Sequence, residues 1–87
     1  MDFLHPSFIR QVKAARALLG WSQKDLAAHS GVSLSTLNRL ERGEGDPSIS
    51  SLRLVYKSFE HWGIRFINEP TGELGVVVSA EALKANR

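Results

Sequence analysis

The 87-residue chain contains no cysteine. A disulfide framework and a thiolate metal site are therefore excluded. Its three histidines, His5, His29 and His61, are widely spaced in sequence, whereas a zinc site needs several ligands converging on one point. No metal and no cofactor is expected. No apolar run approaches the ~20 residues of a membrane span. The first residues, Met1 to Pro6, lack the charged and apolar regions of a signal peptide. A cytoplasmic location is expected, with no membrane partner. A glycine-rich phosphate loop, a nucleophile–base pairing and convergent carboxylates are also missing, which argues against an enzyme. There is no internal repeat, no low-complexity linker and no region left over to sense a small molecule. A chain of this length builds one small core. The formal net charge of +2 permits nucleic-acid binding without requiring it, so the placement of the charges matters more than their sum.

What is present is a run of short, punctuated helices. Residues 1 to 6 are expected to form a loose arm. Phe8, Val12, Ala15 and Leu19 recur at helical spacing, and Gly20 ends that first helix. Ser22 suits an N-cap, and Asp25 three residues on completes a capping box for a second helix, Gln23 to His29. Gly31 occupies a position where a left-handed backbone is expected, and Val32 fills the corner. Ser33 caps a third helix over residues 34–42, with Leu37 and Leu40 inward. Ser48 caps a fourth, Ile49 to His61. After Gly63 the period becomes extended. Ile64 to Asn68 and Leu74 to Val78 are strand candidates, joined by Glu69-Pro70-Thr71-Gly72, which suits a type I turn. Residues 79–87 are alanine-rich and form either a short capped helix or a fraying end. The fold class is therefore mainly α, a helical bundle with a helix-turn-helix and a C-terminal hairpin or strand.

Two short helices joined by a glycine turn can present the second helix to a DNA major groove. That geometry needs a small residue where the helices touch, a turn residue tolerant of positive φ, and apolar anchors. Ala27, Gly31, and Val32 with Leu37 and Leu40 meet those needs. The other reading is a plain helical bundle with a chance glycine turn.

The residues also carry a family resemblance. Gly-Trp-Ser-Gln-Lys-Asp-Leu-Ala (Gly20 to Ala27) and Gly-Val-Ser-Leu-Ser-Thr-Leu-Asn-Arg-Leu-Glu-Arg-Gly (Gly31 to Gly43), followed by Pro-Ser-Ile, resemble the signatures of Cro/C1-type (Xre-family) regulators, whose domain is lambda-repressor-like. The resemblance covers about residues 8 to 62. It implies that Gln23 contacts a phosphate and that residues 34–42 form the recognition helix. Leu34, Ser35 and Arg39 are then the candidates for reading bases. Arg39 can donate two hydrogen bonds to guanine, and Leu34 can touch a thymine methyl. Lys24, Ser33, Thr36, Asn38 and Arg42 are candidates for the DNA backbone. The resemblance further implies an ion pair between Arg16 and Glu41; the alternative is two unlinked exposed charges. The chain departs from the family at Glu44 and Asp46, where related regulators often carry basic residues. Two carboxylates would repel phosphates, so this loop is not expected to enter the minor groove.

Residues 1–62 are thus expected to be the DNA-binding domain and 63–87 a strand extension for dimerisation. Leu54, Trp62, Ile64, Phe66, Val76, Val77 and Val78 are the expected dimer contacts, because a lone hairpin is marginal in water. The alternative is a hairpin folded back on its own domain. The expected partner is a palindromic duplex operator bound by a homodimer, with half-sites about 34 Å apart or a multiple of it. The expected activity is that of a sequence-specific repressor. The other reading is an antitoxin, since compact members with an added C-terminal strand resemble the HipB-type antitoxins, which bind operator DNA and a toxin protein.

Overall fold

The computed structural model describes residues 2–85; Met1, Asn86 and Arg87 lie outside them. Four helices, α1 (Ser7–Leu19), α2 (Gln23–Ser30), α3 (Leu34–Glu41) and α4 (Ile49–His61), precede an antiparallel hairpin of β1 (Ile64–Asn68) and β2 (Leu74–Val78). A short α5 (Ala80–Ala85) follows. The fold is mainly α with a C-terminal hairpin. No helix among the described residues is long and apolar enough to cross a membrane.

Serine hydroxyls start three of the first four helices. Ser22 Oγ accepts from the Asp25 N–H at 3.0 Å, Ser33 Oγ from Thr36 at 3.2 Å and Ser48 Oγ from Ser51 at 3.1 Å. Each cap of this kind contributes about 1 kcal/mol by giving an orphan amide a partner. At α2 the capping box closes, because the Ser22 N–H donates to Asp25 Oδ2 at 2.8 Å.

Each helix sends one apolar stripe inward. Phe8, Val12, Ala15 and Leu19 of α1 meet Leu26 of α2, Leu37 and Leu40 of α3, and Leu52, Val55 and Phe59 of α4. All are at most 2 % exposed. Burial of each larger side chain contributes about 1.5–3 kcal/mol.

The hairpin register pairs Ile64 with Val78 and Phe66 with Val76 on one face, and Arg65 with Val77 on the other. The turn carries its expected bond, Gly72 N–H to the Glu69 carbonyl at 2.9 Å. The first face lies on the helices. Ile64 is buried, and the Phe66 ring meets Tyr56 at 5.1 Å, Phe8 at 5.7 Å and Phe59 at 6.0 Å. Buried Gln11 of α1 fastens the hairpin from beneath, its Nε2 donating to the Ile67 carbonyl at 3.1 Å and the Gly75 carbonyl at 3.0 Å.

In this arrangement the hairpin folds back on its own domain, the alternative considered above, and several of the expected dimer contacts touch that domain. Ile64 joins the domain's own core, and Phe66, Val76 and Val78 pack against it half-buried, because the inward face of the hairpin is apolar. Trp62 also turns inward, edge-on to Trp21 at 5.9 Å and to His29 at 4.8 Å. Leu54 and Val77 remain exposed.

The N-terminal segment is more ordered than expected, and the C-terminal end takes the capped-helix alternative. In place of a loose arm, Phe3 stands edge-on to Phe8 and Tyr56, each at 5.3 Å, and the His5 N–H closes a turn on the Asp2 carbonyl. At the other end Ser79 caps α5 through the Ala82 N–H at 3.1 Å, and Ala82 is buried beside Ile64 in the same core cluster. The expectation for residues 79–87 extends past the described residues at Asn86 and Arg87.

Candidate nucleic-acid interface

The helix-turn-helix is built by α2, a sharp corner and α3. Gly31 turns the corner at φ 77°, and Val32 is buried behind it. Two side-chain links then hold the angle. The first is the ion pair between α1 and α3: Arg16 Nε donates to Glu41 Oε2 and Nη2 to Oε1, both at 2.7 Å, while Nη1 reaches the Trp21 carbonyl at 3.0 Å. A single guanidinium therefore ties α1, the turn before α2, and the end of α3. The Glu41 hydrogen bonds raise the Arg16 pKa above its ordinary value, outweighing the effect of burial. The second link joins α2 to α3 directly, with Asn38 Nδ2 donating to Gln23 Oε1 at 3.2 Å.

Helical geometry explains which side chains α3 presents. At about 100° per residue, positions 34, 35, 38, 39 and 42 fall on one arc, and 37, 40 and 41 fall opposite. The second set is buried. The first set lines one shallow hollow on the surface, made by Leu34, Ser35, Asn38, Arg39 and Arg42. Leu34 is 39 % exposed, and Ser35, Arg39 and Arg42 are exposed. Lys24 is exposed on the first turn of α2, with Gln23 half-buried beside it.

Besides the Gln23–Asn38 pair, three further residues expected to meet DNA are engaged within the protein. The Ser33 hydroxyl caps α3 and donates to Thr36 Oγ1 at 2.8 Å, and Thr36 is half-buried. Arg42 Nη2 pairs with Glu44 Oε2 at 3.2 Å, with both ends exposed. Such a pair is worth little in water, so Arg42 keeps its reach at small cost.

The sequence reading missed Gly45. The loop from α3 to α4 brings its backbone under the Arg39 side chain, so that a Cβ built on Gly45 would stand 2.5 Å from Arg39 Nη2. Arg39 borders both this loop hollow and the presented face of α3. The long-range approach of an arginine tip to a glycine leaves no mark in spacing. The run Gly43-Glu44-Gly45-Asp46 was the only available signal.

Comparison with known proteins agrees with this geometry. A family model described as helix-turn-helix matches residues 12–56. An uncharacterized HTH-type transcriptional regulator from Methanocaldococcus jannaschii is 38% identical over 55 residues, which span 63% of this chain and 79% of that protein. The matched segment runs from inside α1 to inside α4 and contains the whole two-helix reading unit. The chain belongs to the helix-turn-helix family, as a member of its Cro/C1 type.

Proposed function

We propose that this protein is a DNA-binding transcriptional regulator that acts as a sequence-specific repressor, binding a two-fold operator as a homodimer. The observation that carries this reading is the gathering of Leu34, Ser35, Asn38, Arg39 and Arg42 on one outward face of α3. Such a face combines a bidentate donor for guanine, a small hydroxyl and an apolar contact for a thymine methyl. Lys24, Gln23 and the free N–H groups at the starts of α2 and α3 flank it as contacts for phosphate. The name carried by the archaeal relative supports regulation as the outcome.

Selection of bound duplexes from a random pool tests the reading. A palindromic consensus is expected, and a pool with no enriched sequence would remove the claim of specificity. Arg39→Ala should then cost roughly 1–3 kcal/mol on the selected site and relax one base position in each half-site. Equal loss on random DNA would assign Arg39 to the backbone instead. Transcription from a promoter bearing the selected site should fall when the protein is added, and a rise would reverse the regulatory sign.

A further inference from the structure

The Arg39 guanidinium does not project freely from α3. It lies on the loop between α3 and α4, in a hollow bordered by Thr36, Glu44, Asp46, Pro47 and Ser48. It occupies the space that a side chain at Gly45 would need. A Cβ at that position would lie 2.5 Å from Nη2, 3.2 Å from Cζ and 3.6 Å from Nε. Only a residue without a side chain allows the group to rest there. Among the described residues the Arg39 guanidinium has no hydrogen bond or ion pair, so its five donors are all available.

We propose that Gly45 is a positioning residue for base recognition, its bare backbone forming the shelf that holds the Arg39 guanidinium in the pose from which it reads a base. The proposal rests on the base-reading role of Arg39 set out above. Two non-bonded heavy atoms in ordinary contact are about 3.5 Å apart. A methyl group on residue 45 therefore displaces Nη2 by about 1 Å. The arginine tip is the flexible partner and moves before the loop does. A bidentate pair to guanine needs both N–O distances within about 2.7–3.2 Å. A shift of that size takes at least one bond out of range. Glu44 and Asp46 on either side of the shelf repel phosphate, which leaves the resting arginine directed to a base and away from the backbone.

Gly43 supplies the internal control. Its φ of +70° matches the +71° of Gly45, and nothing lies within 4 Å of the Cβ it lacks. Alanine at either position imposes similar backbone strain, but only at 45 does it touch Arg39. The experiment measures binding of the selected duplex and its single-base variants by the wild type, Gly43→Ala, Gly45→Ala, Arg39→Ala and the Gly45→Ala/Arg39→Ala pair, with thermal unfolding of each. Gly45→Ala is expected to lower discrimination about tenfold at the position that Arg39→Ala relaxes, with other positions unchanged. Gly43→Ala should leave discrimination intact, and Gly45→Ala should add nothing when Arg39 is already gone. If Arg39→Ala leaves every base preference unchanged, the base-reading role itself falls. If Arg39→Ala relaxes a position that Gly45→Ala does not, or Gly43→Ala acts as strongly as Gly45→Ala, the shelf is overturned. Should Gly45→Ala fail to fold, Gly45→Asn carries the same Cβ on a residue that tolerates positive φ better, and the same outcomes decide.

Discussion

Glu41 shows what a single buried carboxylate does for the site. Its side chain is 4 % exposed and that of Arg16 is 21 %, and both carboxylate oxygens are bonded to the guanidinium. Removing a charge from water is costly, so the pair contributes little net stability, but loss of one partner strands the other. Arg16→Ala should destabilise the fold by about 3 kcal/mol in chemical denaturation, whereas replacing both residues with apolar ones of similar size should cost much less. A double change that costs as much as the two single changes summed would show that the pair does not act as a unit. The Arg16–Glu41 link spans 25 residues, and no periodicity announces it; family resemblance alone pointed to it. Arg39 and Gly45 are different. The arginine was legible as a candidate reader from its place on α3, but its support was not, because contact with a bare backbone depends on where a loop returns.

At the scale of elements, local chemistry was the legible part. Ser22, Asp25, Ser33 and Ser48 act on amides within three residues of themselves, so their roles follow from short spacing alone. The capping box of α2 also gives a pH dependence. The Asp25 carboxylate is held below its ordinary pKa, first by the Ser22 backbone N–H and then by the Ser22 hydroxyl. A group with a depressed folded-state pKa adds stability that is present above its ordinary value and is lost as the pH falls through the lowered one. Thermal melts of the wild type should therefore lose an increment below the usual carboxylate range that Asp25→Asn lacks. Parallel acid limbs for the two proteins would contradict this. The destination of the hairpin was not legible. Its valines and isoleucines are apolar on both faces, and such a strand does not specify whether its partner is its own core or another chain. Gln11 adds a polar tie to the apolar packing of that hairpin on its own core, and a glutamine on a helix gives no warning that it will bond two strand carbonyls. Gln11→Leu should cost about 1–2 kcal/mol and accelerate amide exchange in β1 and β2 more than in α2 and α3. Uniform exchange across these elements would mean that the glutamine does not fasten the hairpin specifically.

For the whole molecule, the inward turn of the hairpin narrows what is left for self-association. Leu54 at 48 % and Val77 at 37 % exposure are the expected contacts still facing solvent, with Leu74 at 45 % and Leu83 at 48 % also exposed. A dimer built on so small an apolar set should be concentration-dependent. Light scattering at micromolar protein should give twice the monomer mass, and Leu54→Asp/Val77→Asp should restore the monomer and weaken operator binding while leaving the helical signal intact. A monomer in the wild type would oppose the homodimer, and a stable complex with a different, toxin-like protein would favour the antitoxin reading. The fold also carries its own optical reporter. The chain has two tryptophans. Trp21 stacks on His29 at 4.3 Å and meets Trp62 edge-on, where the reading unit joins the C-terminal segment. Their shared emission is therefore a label-free gauge of that seam. A titration with operator DNA that leaves the fluorescence spectrum unmoved would indicate rigid docking, and a shift would reveal that reading the groove is felt at the hairpin.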